Sequence, residues 1–410
     1  MRVQSKNVLV FTTWSYKDGL IQAATLPYLK ILGQITGGDI YLLCWEQPAL
    51  ALKNDEYKAV KDKLLEDRIH LLRMPYHKNK IQAALGWGIK LIQLIGLSYR
   101  RKIRYYHAFA TPAGSMALLA SWFRNVQLTV DSMEPHADLM AETGVWPKTS
   151  RLYRIVFALE RKLVRRADKL IAISKSIRPY LQQHYGIDPP ASKLYYRPLC
   201  VDADLFKPMP PDYSILGWKE KKARIVGIYT GKLGGMYYDT EFCAFVRSCI
   251  AYWKGDFHLI FCTSMPIPET TRFLESQGIS EDHFTIRFVP LLHLPEYLAL
   301  ADFGLSFSRL SEARQYGCPT KNAEYWAAEL PVVATNAILD DTREMAANPY
   351  LGVVLTEDDL VHPEAKIAQL DRQLQQRSQN RAHIRAYAIR ERSFDQVRNV
   401  YGMIYNNDQG

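Results

Sequence analysis

Short apolar runs that alternate with amphipathic helical patterns limit the possible folds of this sequence more than any other feature. Seven runs in the first half have the character of β-strands: Val8–Thr13, Ile40–Trp45, Ile69–Met74, Tyr105–Phe109, Gln127–Asp131, Lys169–Ser174 and Leu194–Arg197. Six more follow in the second half: Ile225–Thr230, His258–Thr263, Thr285–Val289, Phe303–Phe307, Pro331–Thr335 and Gly352–Leu355. Alternating β and α segments predict doubly wound parallel sheets, so the fold class is α/β.

The length of the chain indicates two such domains, because 410 residues exceed one ordinary domain. Residues 207–222 carry three prolines and have the composition of a linker. We therefore predict Rossmann-like domains over residues 1–206 and 223–392, followed by a final helix over residues 393–410. Ligands of open α/β sheets bind beyond the carboxyl ends of the strands, and two facing sheets would form a cleft there.

Composition excludes several classes of protein. Hydrophobic residues make up 48% of the chain and charged residues 23%, which is incompatible with a disordered protein. The six cysteines form no CxxC pair, and several lie in apolar runs as buried thiols do. This usage favours a reducing, cytoplasmic compartment. The apolar segment Ile81–Tyr99 carries Lys90 at its centre, which favours a packed helix near a membrane surface over a membrane-spanning one.

Positive charge is concentrated in the first half of a chain whose formal net charge is +10. No Asp or Glu occurs between Asp67 and Asp131, and the basic residues of that stretch include Lys78, Lys80, Lys90, Arg100, Arg101, Lys102, Arg104 and Arg124. Such a stretch attracts an anionic lipid, a phosphorylated substrate or a nucleic acid. Nucleic acid is the weakest of these, since no recognised binding motif accompanies the charge. An ordinary solvated basic face is the alternative.

Two loops that follow strands of the first half carry polar candidates. Asp18 and Gly19 follow the first strand, where a glycine lets a ligand approach the amides of a helix N-terminus. A plain turn with Asp18 as N-cap is equally consistent with this loop. Asp131, Glu134 and His136 follow the fifth strand, where a sugar or an acceptor hydroxyl would bind. A capping loop is the alternative there.

Two segments of the second half favour phosphate binding. Gly231, Lys232 and Gly234 follow its first strand, and glycines with one lysine at a strand-to-helix junction suit a diphosphate. The spacing is not that of a Walker A loop. Pro319 and Thr320 begin a helix with Lys321 and Asn322 in its first turn and Glu324 one turn on. Lys321 can hold a phosphate and Glu324 can accept ribose hydroxyls, whereas a surface Lys321–Glu324 pair is the alternative.

These segments resemble family 4 glycosyltransferases of the GT-B fold over nearly the whole chain. The resemblance rests on Asp202, Phe206 and Pro208 before the linker, on Ala167-Asp168 with Ser174, on Gly231-Lys232, and on Pro319-Thr320-Lys321 with Glu324, Tyr325 and Pro331-Val332-Val333. It implies two Rossmann-like domains that face each other across a cleft, and a final helix that crosses back to the first domain.

The resemblance also implies a reaction and roles for residues. A sugar would pass from a UDP- or GDP-sugar in the second domain to a saccharide or lipid-linked acceptor, with retention and without a metal or other cofactor, in the synthesis of a bacterial-type surface polysaccharide or glycolipid. The catalytic residues would be Lys232, Lys321 and Glu324. The donor-binding residues would be Gly19, Gly231, Gly234, Arg314, Pro319, Thr320 and Asn322. From their positions after the first and fifth strands, the acceptor-side residues would be Asp18, Asp131, Glu134 and His136. The enzyme would act in the cytoplasm, with peripheral membrane contact through its basic first domain.

Three positions depart from the family pattern. Tyr316 stands where the family usually has a Glu, Tyr237 stands where a second basic residue follows the first, and Glu329 replaces a glycine. We expect Lys321 or Arg314 to supply the missing positive charge. Two rival functions therefore stay open: a GT-B sugar-nucleotide epimerase, which would release free nucleoside diphosphate without an acceptor, and a catalytically silent GT-B subunit that docks or activates a partner enzyme.

Overall fold

The chain forms two compact units. The computed structural model describes residues 6–75 and 80–406, with the backbone alone at Pro75 and at residues 80–84. The first unit comprises Met1–Ala141, Val145–Pro198 and Phe394–Gly410, and the second comprises Glu142–Gly144 and Leu199–Ser393. The first division thus falls at Pro198, ahead of residue 206, and residues 207–222 belong to the second unit, where Tyr213–Leu216 forms a 3-10 turn.

The first unit is built on a seven-stranded parallel sheet. Its strands are β1 (Lys6–Phe11), β2 (Gly37–Glu46), β3 (Ile69–Pro75), β4 (Tyr105–Phe109), β5 (Gln127–Met133), β6 (Lys169–Ala172) and β7 (Leu194–Tyr196). Its helices up to the first division are α1 (Leu26–Thr36), α2 (Asn54–Glu66), α3 (Lys80–Arg100), α4 (Ala110–Ser121), α5 (His136–Glu142), α6 (Arg151–Arg166) and α7 (Ile177–Tyr185). The strand order β3-β2-β1-β4-β5-β6-β7 reverses direction between β1 and β4.

The second unit repeats this plan with a six-stranded parallel sheet. Its strands are β8 (Ile225–Thr230), β9 (Phe257–Cys262), β10 (Phe284–Arg287), β11 (Phe303–Ser306), β12 (Val332–Thr335) and β13 (Gly352–Leu355). Its helices are α8 (Thr240–Tyr252), α9 (Ile267–Ser276), α10 (Leu294–Leu298), α11 (Thr320–Ala327), α12 (Leu339–Ala347), α13 (Glu357–Val361), α14 (Glu364–Gln375) and α15 (Arg377–Arg392). The order β10-β9-β8-β11-β12-β13 reverses between β8 and β11, which is where α/β sheets bind ligands.

The last helix, α16 (Phe394–Tyr405), belongs to the first unit although the chain reaches it from α15 in the second. This helix buries an apolar face that includes Val397, Tyr401 and Ile404. At the start of α16, the ring of Phe394 packs edge-on against Tyr28 of α1, with 5.7 Å between the ring centroids.

The predicted strands are confirmed in number, place and parallel pairing. They were detectable because both faces of a parallel sheet are buried, so each strand is a continuous apolar run. All six cysteines lie in the described part of the chain, where they are buried and form no disulfide. Over the part of the chain that the structure describes, no helix combines the length and the apolar character needed to cross a bilayer.

Candidate functional site

The loop after β8 and the start of α11 meet at the point where the second sheet reverses its strand order. The Tyr325 hydroxyl on α11 accepts a hydrogen bond from the Thr230 amide at 2.9 Å, and it donates to the Leu305 carbonyl of β11 at 3.3 Å. The Tyr325 ring lies so close to Gly304 that a Cβ there would come within 2.3 Å of it. Helix α11 is therefore fixed against the carboxyl ends of β8 and β11.

Lys321 is a buried cation at this point, with a relative exposure of 7%. Its Nζ lies 4.3 Å from the ring centroid of Tyr229 and 4.4 Å from that of Tyr237. It also closes over Gly231, where a Cβ would stand 3.0 Å from Nζ and where φ is +134°. Among the described residues, none accepts a hydrogen bond from Nζ. Buried ammonium groups normally have hydrogen-bond partners, so the Lys321 ammonium is suited to bind an anion from outside the chain.

Arg314 is a second buried cation in the same place. One of its terminal nitrogens donates to the Ser308 hydroxyl at 3.2 Å, whereas its Nε has no hydrogen-bond partner in the described part of the chain. The guanidinium lies 5.5 Å from the ring centroid of Tyr237. Tyr237 therefore contacts both cations, at the position where the family pattern has a basic residue. Burial lowers the pKa of Lys321, and the charge of Arg314 lowers it further.

Glu324 follows Lys321 by one turn and is also buried, with an exposure of 8%. Its carboxylate accepts no hydrogen bond from any residue in the described ranges, and it lies beyond ion-pair distance of Lys321. The surface pair considered above is thus wrong. Burial raises the pKa of Glu324 to about 7, against the opposing influence of Lys321. A buried carboxylate without a donor is suited to bind hydroxyl groups of a ligand.

The glycine loop contributes less than predicted. The Gly231 amide donates to the Cys262 carbonyl at 2.9 Å, so it is not free for a phosphate. The Tyr229 hydroxyl holds this loop by donating to the Lys232 carbonyl at 2.6 Å, while the Lys232 side chain is exposed. Gly234 has a φ of +79°, which explains the glycine there.

The start of α11 is held by a buried network. The Asn322 side-chain amide donates to Asp341 at 2.7 Å, and Asp341 pairs with Arg392 at 2.8 Å. Arg392 also donates to the Pro319 carbonyl at 3.2 Å. The NH2 group of Asn322 is thus engaged inside the unit, whereas its side-chain oxygen has no hydrogen-bond partner in the described part of the chain, so its donor contact stays a prediction. Thr320 is half-buried at the first helical position.

Asp131 is the clearest correction in the first unit. It is completely buried. It accepts hydrogen bonds from Tyr401 at 2.6 Å and from Arg197, and it lies 3.2 Å from His107. The second ring nitrogen of His107 lies 2.8 Å from the Tyr405 hydroxyl. An acceptor cannot reach Asp131 in this network, so its predicted acceptor role is wrong and its role is structural.

The remaining site candidates of the first unit follow the carboxyl ends of β1 and β5. The Asp18 side chain accepts from the Leu20 amide at 2.9 Å, as the capping alternative requires, and a side chain at the exposed Gly19 would meet open space. Glu134 and His136 are half-buried. The His136 amide donates to the buried Glu160 at 2.8 Å, and burial lowers the pKa of the His136 imidazole.

Sequence reasoning missed the aromatic part of the second-unit site. Tyr229 is an inner residue of a buried strand, and its pattern gives no sign that its ring faces a lysine. Tyr237 was noticed only as a departure from the family pattern. Each ring lies close to Lys321 because β8 pairs with β11. This pairing cannot be read from the sequence.

Known proteins resemble this chain in part of its sequence and in its fold. Residues 49–194 match the family described as glycosyl transferase 4-like domain. Sucrose-phosphate synthase from Thermosynechococcus elongatus superposes with a TM-score of 0.70 at 11% identity, covering 98% of each chain. Anabaena HepE in complex with UDP and glucose gives a TM-score of 0.70 at 14% identity, covering 98% of this chain and 99% of that one. No curated protein matches the sequence.

A third similar structure is WaaG, a glycosyltransferase involved in lipopolysaccharide biosynthesis, with a TM-score of 0.68 at 14% identity over 98% of this chain and all of that one. The two doubly wound parallel sheets define a protein of the GT-B class. Residues 49–194 match the glycosyl transferase 4-like domain, and the likeness to the solved glycosyltransferases extends the similarity in fold to nearly the whole chain. The predicted fold class is thereby confirmed, and the match over residues 49–194 supports the predicted family.

Proposed function

We propose that the chain transfers a sugar from a nucleotide sugar, bound in the second unit, to a saccharide or lipid-linked acceptor. The observation that carries this proposal is the buried Lys321 ammonium, which has no hydrogen-bond partner in the described chain and lies beside Arg314. A cation in the first turn of α11 and a second one in the 3-10 turn Arg314–Tyr316 before it suit a diphosphate. The similarity to HepE, which binds UDP and glucose, supports a nucleotide-sugar donor.

In this proposal each charged group has a separate task. Lys321 and Arg314 bind the donor diphosphate, and the exposed Lys232 approaches it from the solvent side. Glu324 accepts hydrogen bonds from the ribose hydroxyls. Negative charge on the leaving phosphate increases as the bond between C1 of the sugar and the phosphate oxygen breaks, so these cations stabilise the transition state more than the bound donor.

The proposed transfer retains the configuration of the sugar. The acceptor hydroxyl attacks C1 from the side of the leaving diphosphate and gives its proton to a phosphate oxygen, so a new C1–O bond replaces the old one and free nucleoside diphosphate is released. Protein cations supply the positive charge, and the proposal requires no metal or other cofactor. A thermal-shift panel of UDP-, GDP-, CMP- and dTDP-sugars tests it, because a ligand specific to the native state raises stability.

Replacing Glu324 with Ala is expected to weaken nucleoside-diphosphate binding by about 1–3 kcal/mol, because ligand hydroxyls would lose their acceptor. Calorimetry with the diphosphate of the donor found in the thermal-shift panel measures this. Glu364→Ala is the matched control, since it removes an exposed carboxylate from α14 of the same unit. Unchanged affinity in Glu324→Ala would remove this residue from the donor site.

A catalytically silent subunit is the second candidate function. Tyr316 and Tyr237 favour it, because they replace a carboxylate and a basic residue of the family pattern. Release of nucleoside diphosphate that depends on an added acceptor separates the candidates: a transferase shows it, an epimerase releases diphosphate without acceptor, and a silent subunit binds donor without release.

We further propose that the enzyme works at the cytoplasmic face of a membrane, to which the first unit binds through α3. On this helix Leu85, Ile89 and Ile92 are 63%, 58% and 72% exposed, and their spacing places them on one face. The exposed Arg100, Arg101, Lys102 and Arg104 follow directly. An apolar helix face with adjacent basic residues is typical of helices that lie in the membrane interface.

The other basic residues of the stretch are not counted in this surface. The Arg124 guanidinium donates to the Ser98 and Ile103 carbonyls at 3.3 and 2.9 Å, so it is engaged within the unit. Lys78 and the side chain of Lys80 lie outside the described residues.

Liposome co-sedimentation is expected to show binding to anionic vesicles and none to neutral ones, because each basic side chain near an anionic leaflet contributes about 1 kcal/mol. Binding should decrease steeply with salt. Changing Arg100, Arg101 and Lys102 to Gln should weaken it, whereas changing Lys58, Lys61 and Lys63 of α2 to Gln, an equal loss of charge, should not. Equal binding to both kinds of vesicle contradicts the proposal.

A further inference from the structure

An open cavity of about 740 Å³ lies in the first unit at the carboxyl ends of β2 and β3. Its charged and aromatic lining consists of Glu46, Tyr57, Arg73 and Lys90, from β2, α2, β3 and α3 respectively. The volume is that of a small-molecule site, and carboxyl ends of parallel strands are the usual place for one. None of the site residues predicted from the sequence lines it.

Arg73 is held in a fixed orientation in this cavity. Its guanidinium stacks on the Tyr57 ring at 3.6 Å from the centroid, and one nitrogen donates to the Leu52 carbonyl at 3.2 Å. The Tyr57 hydroxyl donates to the Leu71 carbonyl at 3.0 Å, which fixes the ring. Among the described residues, no carboxylate pairs with Arg73. A guanidinium fixed in this way is suited to bind phosphate with its remaining N–H groups.

Lys90 gives the cavity a second cation. It is half-buried and makes no hydrogen bond or ion pair with any residue of the described ranges. Burial lowers the pKa of Lys90, as expected of an ammonium that has lost water without gaining a partner.

The one carboxylate of the lining is already engaged. One Glu46 oxygen accepts from the Tyr16 amide at 3.2 Å and the other from the Leu52 amide at 2.7 Å. Glu46 thus binds backbone groups and not the cations. Because no Asp or Glu occurs between Asp67 and Asp131, the elements β3 and α3 bring no further negative charge. The two cations exceed the single carboxylate, and the cavity favours an anion.

We propose that this cavity binds a phosphate or diphosphate group of the acceptor. The inference rests on the proposed transferase function, since it names the chemistry of the second substrate. Arg73 would bind two phosphate oxygens side by side, and Lys90 would bind a third from α3. The same helix exposes Leu85, Ile89 and Ile92, so a phosphate attached to a lipid could reach the cavity from a membrane.

Calorimetric titration of the 410-residue chain with inorganic pyrophosphate tests this subsite. Lys90→Gln is expected to weaken binding to the cavity about tenfold, the effect of losing one charge-assisted hydrogen bond. Lys63→Gln on α2 is the matched control and should leave it unchanged. Lys321→Met should remove any pyrophosphate bound in the second unit and leave the cavity occupied. Equal pyrophosphate affinity in Lys90→Gln and in the unchanged protein would overturn the proposal.

Farnesyl diphosphate distinguishes the two sources of the phosphate. If it binds more tightly than pyrophosphate, and Lys90→Gln weakens both, the acceptor is lipid-linked, whereas equal affinities favour a soluble phosphorylated acceptor. Absence of binding by either compound overturns the subsite. Arg73→Lys keeps the charge but loses the planar guanidinium. A partial loss of pyrophosphate affinity in this variant therefore supports the binding of two phosphate oxygens side by side by Arg73. Failure of the transferase function is distinguishable, because nucleotide sugars would then neither bind nor turn over while the cavity still bound pyrophosphate.

Discussion

Replacing Lys321 with Met is expected to lower turnover by about 10²–10³-fold and, at the same time, to raise the melting temperature of the ligand-free protein. The loss of activity follows from the removal of a buried cation that, in the proposed reaction, stabilises the leaving phosphate. The gain in stability follows from the removal of a buried ammonium without a hydrogen-bond partner. Methionine has a similar length, and its sulfur packs well against the rings of Tyr229 and Tyr237.

The opposite signs of these two effects make the prediction specific to a functional residue. Interactions with the two aromatic rings offset part of the burial cost, so the change in melting temperature should be small, about 2–4 °C for each kcal/mol gained. Steady-state kinetics and differential scanning calorimetry measure the effects. Lys232→Met is the control: its exposed side chain predicts a smaller loss of turnover and no gain in stability. A Lys321→Met protein that melts lower and turns over normally would show that this lysine is structural.

Replacing Asp131 with Ala is expected to destabilise the first unit by about 3–5 kcal/mol, because the Arg197 guanidinium would remain buried without its counter-charge. Tyr401 and His107 would lose their partner in the same change. Urea unfolding and amide hydrogen exchange in β4, β5 and α16 measure the loss. Asp188→Ala is the control, since Asp188 forms an exposed pair with Arg178, and pairs of that kind contribute at most about 1 kcal/mol.

The same residue predicts a dependence on pH. Burial alone would raise the pKa of Asp131, but the charge of Arg197 and hydrogen bonds from His107 and Tyr401 lower it well below its usual range. A carboxyl whose pKa is lower in the folded chain contributes stability above its unfolded pKa of about 3.9 and loses it as the pH falls further. Asp131→Asn should therefore flatten the decline of stability below about pH 4. An unchanged acid profile would contradict this network.

Two carboxylates, Glu324 and Asp131, show which parts of the site can be predicted from the sequence. Glu324 was identified because its neighbours along one helix, Pro319 to Lys321, carry the signal, and helical spacing fixes which of them share a face. The surroundings of Asp131 gave no such signal. Its partners His107, Arg197 and Tyr401 lie 24, 66 and 270 positions away in the chain. The pairing of β4 with β5, the addition of β6 and β7 to the same sheet and the return of α16 bring them together.

Glu329 shows a local feature that the sequence does contain. The family pattern has a glycine at this position, and the structure gives Glu329 a φ of +64°, in the left-handed region that glycine adopts without strain. At Glu329 the turn thus keeps the backbone conformation that suits glycine, although the residue itself is not glycine. By contrast, the engagement of the Asn322 amide by Asp341 depends on α12, which the motif does not include.

The return of α16 has a consequence for the order in which the protein folds during synthesis. The ribosome makes residues 6–198 before the second unit. His107 and Asp131 nevertheless form hydrogen bonds with Tyr405 and Tyr401, which are translated only after the whole second unit. The nascent first unit therefore lacks α16, which packs against α1 through Phe394, at a time when all of the second unit has already been translated. Domains of most chains finish in the order of translation. Here the unit that begins first is the last to finish.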